Sequence, residues 1–201
     1  MTEFLLFNRW STKGIEITDP GLRNYICLKP VLIPKSSGKY AKHRFYKSYH
    51  MNIVERLLNK LMVSGHRGKK HKLTSGHFSG DTTRLYKTIV RTFEIIEQKT
   101  KQNPIAVLVR AIENAAPRDE ITSIEYGGAK YPTAVECAPQ RRVDLALRHL
   151  CQGAYNKSFK SKKSLAEALA EEIILAYECK QESFAISKKP VSYTHLTLPT
   201  N

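Results

Sequence analysis

Residues 121–137 constrain the fold more than any other stretch. Ile121-Thr-Ser-Ile-Glu-Tyr126 and Tyr131-Pro-Thr-Ala-Val-Glu-Cys137 are short runs with β-branched and aromatic residues, and Gly127-Gly128 lies between them. Two adjacent glycines accept positive φ in a tight turn, so the segment predicts a β-hairpin. No other stretch offers these runs a third strand. An isolated two-stranded hairpin is marginal in water, so this one must lean on helices at its base or be held by a partner. The fold class expected is mainly α, a helical bundle of about six helices with a protruding β-hairpin arm.

The helices are marked by caps and by apolar spacing. Asp19-Pro20 predicts a short helix to Cys27 or Leu28, stopped by Pro30 and Pro34. Val54, Leu57, Leu58, Leu61 and Met62 make one face of a helix near residues 51–63. Asp81 caps a helix to Thr100 with Leu85, Ile89, Phe93 and Ile96 inward, and Asn103-Pro104 starts another with Leu108, Ala111, Ile112 and Ala115 inward. Pro139 opens a helix carrying Val143, Leu147, Leu150, Cys151 and Ala154. Ser164-Leu-Ala-Glu167 is a capping box ahead of Leu165, Ala168, Leu169, Ile173, Ala176 and Tyr177. Residues 1–18 lack sustained periodicity and predict an extended arm laid on the surface, ahead of a single domain over 19–189.

Charge points to the partner. Thirty-three Lys plus Arg against 18 Asp plus Glu give a net charge of +15 over 201 residues, which implies a polyanion, nucleic acid well before membrane. No apolar run approaches the roughly 20 residues of a membrane span, and the N-terminus has no signal-peptide pattern, so a soluble intracellular chain is expected. Cys27, Cys137, Cys151 and Cys179 are far apart, without C-x-x-C or finger spacing; buried free thiols are expected, and no metal or cofactor.

The cations cluster. Residues 35–72 hold eleven Lys or Arg against one acid, Glu55. Lys35, Lys39, Lys42, Arg44 and Lys47 are interleaved with Tyr40, His43, Phe45, Tyr46 and Tyr49, aromatics that either stack on bases or anchor the segment to the core. Arg67, Gly68, Lys69, Lys70 and Lys72 follow, where glycine lets backbone N–H groups approach phosphates that the cations neutralise. Such a like-charge block reads as a solvated loop when free and an ordered one on RNA. Gly65-x-x-Gly68 has the spacing of a KH loop without the β-rich surroundings. Arg84 stands on the helix after Asp81. Arg141 and Arg142 occupy a first helical turn, where the dipole prefers anions; a bound phosphate would satisfy the helix end and both guanidinium groups. Lys157, Lys160, Lys162 and Lys163 form a second basic loop, and Glu167, Glu171 and Glu172 read as a solvated face.

Catalytic patterns are missing. There is no G-x-G-x-x-G after a strand, no Walker loop, no H-E-x-x-H and no nucleophile elbow. His43, His50, His66, His71, His77 and His149 lack ligand spacing with a carboxylate or Cys. The basic regions are nearly free of the clustered acids that metal-dependent nucleases need. The chain reads as a binding protein, not an enzyme.

Several stretches in order resemble one family: Ile53-Val-Glu-Arg-Leu57, Gly68-Lys-Lys70, Phe93-Glu-Ile-Ile96, Val107-Leu-Val-Arg-Ala-Ile-Glu-Asn-Ala-Ala-Pro-Arg118, Tyr126-Gly-Gly-Ala129, Ala138-Pro-Gln-Arg-Arg-Val-Asp144, Leu150-Cys-Gln-Gly-Ala154 and Ser164-Leu-Ala-Glu-Ala-Leu-Ala170. The chain is similar to the universal small-subunit ribosomal protein number seven family, in its archaeal and eukaryotic branch. That resemblance implies a helical domain with a hairpin arm, bound to the 3′ major domain of small-subunit rRNA in the head of the small ribosomal subunit. It implies a role in assembling the head, with neighbouring small-subunit proteins as further partners and the cytoplasmic ribosome as location, after nucleolar assembly if the source is eukaryotic. By position Gly68, Lys69, Lys70, Arg141 and Arg142 take rRNA contacts. Tyr126, Gly127, Gly128, Ala129, Lys130 and Tyr131 take the arm tip, near exit-site tRNA and mRNA. The chain departs from the family after Lys189: residues 190–201 are Thr-rich and uncharged, resemble translated adapter sequence, and are expected to lie outside the native domain. A free-standing nucleic-acid regulator using the same basic faces is the alternative.

Overall fold

The computed structural model describes residues 4–34, 42–65, 78 and 80–194. Among the described residues, seven helices and one hairpin follow in order: α1 Arg44–Tyr49, α2 Ile53–Leu61, α3 Thr82–Thr100, α4 Pro104–Ala115, β1 Asp119–Tyr126, β2 Ala129–Glu136, α5 Pro139–Ser158, α6 Leu165–Tyr177 and α7 Phe184–Thr194. The mainly helical bundle with a hairpin arm is therefore what the chain forms.

The starts of the helices follow the caps. Asn52, Asp81 and Asn103 side chains accept from the backbone N–H of Val54, Arg84 and Ile105 at 2.9, 3.0 and 3.0 Å, and Ser164 with Glu167 forms the full capping box. Pro104 and Pro139 each sit in a first turn, where a missing N–H costs nothing. Helix α6 packs against α3, α4, α5 and α7. Its alanines Ala166, Ala168, Ala170 and Ala176 are buried, and small side chains let the neighbours close around it; a helix apolar on most sides belongs inside. Phe93, Leu108, Leu147, Leu150 and Leu169 are fully buried in one continuous core.

Five expectations change. The segment after Asp19 is a series of turns, not a helix: Asp19 makes the capping bond, accepting from Gly21 at 2.8 Å, but the chain closes through turn bonds from Leu22 N–H to the Asp19 carbonyl and from Tyr25 N–H to the Leu22 carbonyl, and Arg142 holds the other Asp19 oxygen. Residues 4–18 do not only cover the surface. Leu6 and Trp10 enter the core, Phe7, Trp10 and Phe93 meet edge to face at 5.6–6.1 Å between centroids, and Trp10 Nε1 donates to Glu97 at 3.1 Å. Helix α1 was not foreseen, and α7 continues past Lys189 to Thr194. Glu172 is fully buried: it accepts from the Ser183 hydroxyl at 2.7 Å and the Ala185 N–H at 3.1 Å, and Lys157 Nζ lies 2.9 Å away, so it pins the start of α7. Gly153 is required there, since a Cβ would stand 2.8 Å from Glu172 Cδ and 2.9 Å from Phe184 Cβ. Finally, Cys179 is exposed, whereas Cys27, Cys137 and Cys151 are buried thiols; burial pushes the Cys151 thiol up to about 12.

In the hairpin, Gly127 and Gly128 have φ of 59° and 80°, the two positive values of a two-residue turn whose twist matches the strands. The register pairs Tyr126 with Ala129, Ile124 with Tyr131 and Ser123 with Pro132. Counting outward from the turn, hydrogen-bonded and non-bonded pairs alternate, so Pro132 falls on a non-bonded pair and no ladder bond is lost.

Candidate nucleic-acid interface

The site is built where α1 meets the first two turns of α5. Ser48 in α1 donates to Gln140 Oε1 at 2.9 Å, which ties the helices together. Lys42, Lys47, Gln140, Arg141, Asp144 and Arg148 line the cleft between them. On α5, residues 141, 144 or 145, and 148 recur at one-turn spacing, which places Arg141, Asp144 and Arg148 along one face.

Asp144 gathers cations at the back of the cleft. Arg56 Nη2 lies at 3.3 Å, Lys60 Nζ at 3.7 Å and Lys47 Nζ at 4.0 Å. Burial pushes the Arg56 guanidinium and the Lys60 ammonium below their ordinary values while Asp144 opposes the shift, and at Lys60 the charges of Arg148 and Lys47 push the same way as burial. That crowding is the signature of excess positive charge. One carboxylate serves three cations, and Arg148 and Lys42 add to them. Gln140 Nε2 is buried without a hydrogen-bond partner. A buried donor among surplus cations fits an anionic acceptor.

The Arg141–Arg142 pair is split. Arg141 is 54% exposed, with Nε 2.7 Å from the Glu120 carboxylate of β1, a hydrogen bond that raises its pKa. Arg142 turns inward: the residue is 9% exposed, Nε donates to the Pro117 carbonyl at 2.9 Å and Nη2 to Asp19 at 2.7 Å. Burial raises the Asp19 carboxyl, but the Arg142 hydrogen bond and charge, with the Gly21 N–H and the Arg118 charge, more than offset this and leave it below its ordinary value. Arg142 thus ties the 19–26 turns to the root of the hairpin, and its guanidinium is not presented to a phosphate. Adjacent helical residues point about 100° apart, so one arginine of the pair had to turn away from the other.

The remaining cations lie elsewhere. Lys160, Lys162 and Lys163 are exposed at the opposite end of α5, about 30 Å from Arg141 for a helix of that length. Lys163 pairs with Glu171 at 2.9 Å, and Lys160 stands 5.7 Å over the Phe159 ring. Arg84 is 57% exposed and pairs with Asp81 at 3.1 Å. Lys35, Lys39, Arg67, Gly68, Lys69, Lys70 and Lys72, with Tyr40, lie outside the described residues, as do the side chains of Arg44 and Phe45. Gln140, Arg148, Arg56 and Lys60 were missed in the sequence; the spacing 141, 144, 148 was the signal that could have found Arg148.

The hairpin extends into solvent. Tyr126 is 81%, Tyr131 56% and Ile124 51% exposed, and nothing approaches Gly127 or Gly128. Its strands carry Asp119, Glu120, Glu125 and Glu136 against Lys130, so the arm is acidic within a basic protein and is not what attracts phosphate.

Comparison with known proteins gives the family. A family model described as "Ribosomal protein S7p/S5e" matches residues 22–193. The chain is 59% identical over 184 residues to "Small ribosomal subunit protein uS7" of Nanoarchaeum equitans, covering 92% of both chains. It is 46% identical over 187 residues to the protein of the same name from Methanosphaera stadtmanae, covering 92% of this chain and 93% of that one. With the family match spanning most of the domain and such identity over nearly the whole length, the chain belongs to the ribosomal protein S7p/S5e family, whose members are structural rather than enzymatic.

Proposed function

We propose that this protein is a structural component of the small ribosomal subunit in the cytoplasm, bound to small-subunit rRNA and to neighbouring ribosomal proteins. The observation that carries the reading is the α1/α5 cleft, where cations outnumber carboxylates around the unpaired Nε2 of Gln140. In finer detail, the rRNA bound is the 3′ major domain, and the protein helps assemble the head of the subunit. Lys42, Lys47, Arg141 and Arg148 hold phosphates in the cleft. Arg84 and the loop with Lys160, Lys162 and Lys163 make separate contacts, and the basic stretches with Lys35, Lys39 and Arg44 and with Arg67, Gly68, Lys69, Lys70 and Lys72 extend the surface. Tyr126 to Tyr131 of the hairpin reach the tRNA exit site and the mRNA exit path.

Sedimentation of the protein with small ribosomal subunits through a high-salt cushion tests the coarse reading. It is expected to stay with the particle; washing off while other ribosomal proteins remain would identify a free-standing regulator instead. The fine reading is tested by deleting residues 126–131, which should spare subunit assembly and disturb exit-site tRNA or mRNA handling. Failure to assemble would contradict the separation of anchoring from reach.

A further inference from the structure

The two strands of the hairpin have unequal outer edges. Continuing the alternation from the Gly127-Gly128 turn, Glu120, Thr122, Ile124 and Tyr126 direct their backbone N–H and C=O groups at β2. Asp119, Ile121, Ser123 and Glu125 direct theirs away from it, along about 20 Å of edge at 3.3 Å per residue. Among the described residues, no hydrogen bond reaches the outward groups of Ile121, Ser123 or Glu125. On β2 the outward set is Lys130, Pro132, Ala134 and Glu136. There a proline withholds its donor and a lysine precedes it, two devices that keep a strand edge from pairing. The edge of β1 has neither.

The open edge leads into a cavity. A hollow of about 320 Å³ is lined by Asp119, Glu120 and Ile121 at the root of β1 and by Leu145, His149 and Ala185 of α5 and α7. Asp119 and Ile121 lie on one face of the hairpin, whereas Glu120 lies on the other with Ile124 and Tyr126. A cavity that touches both faces of β1 and no residue of β2 opens at the outer edge of β1. The lysines beside it are held by their own chain: Lys188 Nζ stands 5.5 Å over the Phe184 ring, and Lys189 Nζ donates to the Asn114 carbonyl at 2.9 Å. Asp119 and Glu125 enter no ion pair among the described residues.

We propose that the outer edge of β1 takes an extended segment of a neighbouring protein as a third strand, one in which lysine or arginine alternates with apolar residues. The proposal rests on the reading above that the protein binds neighbouring proteins, and it names the surface and the chemistry. Ile121, Ser123 and Glu125 each offer an N–H and a C=O, so backbone pairing holds the segment while side chains select it. A two-stranded hairpin is marginal in water, and a third strand relieves that. Alternation sets the side chains wanted. One face of the added strand lies beside Ile124 and Tyr126, which are 51% and 81% exposed, and calls for apolar groups. The other lies beside Asp119, Ser123 and Glu125 and calls for cations. The residue at the root enters the cavity. An acidic strand is refused by Asp119 and Glu125, and RNA brings phosphates to the same carboxylates without a row of amides for the edge. A second copy of β1 brings the same acids, on a chain whose net charge of +15 repels its like.

The test follows amide hydrogen exchange in the intact protein by NMR during titration with a synthetic ten-residue peptide of alternating lysine and valine. Saturation should slow exchange at Ile121, Ser123 and Glu125 by about tenfold or more, and change Thr122 and Ile124, already bonded to β2, by less than about twofold. The same peptide with every backbone nitrogen methylated keeps the side chains and loses the donors, and should bind at least about tenfold more weakly. Alternating glutamate and valine should leave the three amides unprotected. Ser123→Pro gives β1 the proline that β2 has at the paired position; the hairpin should persist and affinity for the lysine–valine peptide should fall by about tenfold. Should that variant lose its hairpin, the methylated peptide still decides, since it leaves the protein unchanged. In purified small subunits, exchange over residues 119–126 should be slower than in the free protein by about tenfold or more. Strand addition is overturned if the methylated peptide binds as tightly as its parent, if the lysine–valine peptide leaves the three amides unprotected, or if the segment exchanges in the subunit as fast as in the free protein. Protection of these amides by the 3′ major domain fragment alone would assign the edge to RNA, and concentration-dependent dimerisation that protects them would assign it to a second copy; either overturns the choice of partner. The titration needs no subunit and sedimentation needs no peptide, so this proposal and the ribosomal reading fail separately.

Discussion

Arg142→Ala separates a structural arginine from an RNA-binding one. The substitution removes the donors to Pro117 and Asp19 and leaves a carboxylate whose side chain is 22% exposed beside a buried carbonyl. Breaking a buried charge pair from one side costs about 3–5 kcal/mol. Asp19 retains some water, so the low end, about 3 kcal/mol, applies; in a domain of this size that is about 6–12 °C in Tm. Arg141 is 54% exposed, and its pair with Glu120 is a surface ion pair, so Arg141→Ala should change stability by less than about 1 kcal/mol. The order reverses for RNA. Loss of Arg141 should reduce the slope of log affinity against log salt by about 0.7–0.9, one phosphate contact, whereas folded Arg142→Ala should keep the wild-type slope. Urea unfolding monitored by circular dichroism gives the first quantity and filter binding of the 3′ major domain fragment across a salt series the second. A double-mutant cycle with Asp19→Asn checks the partner. The Asp19 carboxyl lies below its ordinary 3.8 in the folded state, so its contribution is present above that value and is lost as pH falls through the lower folded value. An Arg142→Ala protein as stable as wild type but with a shallower salt slope would refute this assignment and restore the arginine pair as a phosphate clamp.

Three further outcomes follow from the same geometry. Burial, with the charges of Arg148 and Lys188 and against that of Glu172, pushes His149 from 6.5 down to about 4. Its folded value is depressed, so stability is full above 6.5 and falls by about 3 kcal/mol as pH drops towards 4; His149→Leu should flatten that part of a urea-midpoint against pH curve, and an unchanged curve would clear His149 of the role. Gly153→Ala should destabilise by about 1–3 kcal/mol and raise amide exchange in α7 ahead of the rest of the chain, because the new methyl group meets Glu172 and Phe184; a neutral effect would mean that α7 docks elsewhere. The Lys47→Ala/Arg148→Ala pair should lower the salt slope for rRNA by about 1.4–1.8 while leaving Tm within a few degrees, and an unchanged slope would place the phosphate contacts outside the cleft.

Local chemistry was legible wherever it acts over a few residues. Asn103-Pro104, Ser164 with Glu167, and Gly127-Gly128 each specify their own backbone, and the apolar spacing in α3 to α6 identified the buried faces. Short or conflicted signals were not legible. Helix α1 has six residues and no acid in its first turn, so its formation depends on contacts such as Ser48 to Gln140 and not on propensity. The turns after Asp19 carry a valid cap and a well-placed proline, yet no helix follows, and the second Asp19 oxygen is held by Arg142, 123 residues away in sequence, a partner that no local pattern announces. Glu172 looked like one more solvated acid, until the docking of α7 enclosed it.

The hairpin shows the same boundary. Its strands, its turn and its lack of a third strand are set by the amino-acid sequence, because two-residue turns and period-two alternation are local rules. Which face looks towards the cations is decided by tertiary structure, through the Glu120–Arg141 bond at its root. So too is which of two adjacent arginines meets solvent, since a helix fixes the angle between neighbours while only the packed partner fixes the direction of each.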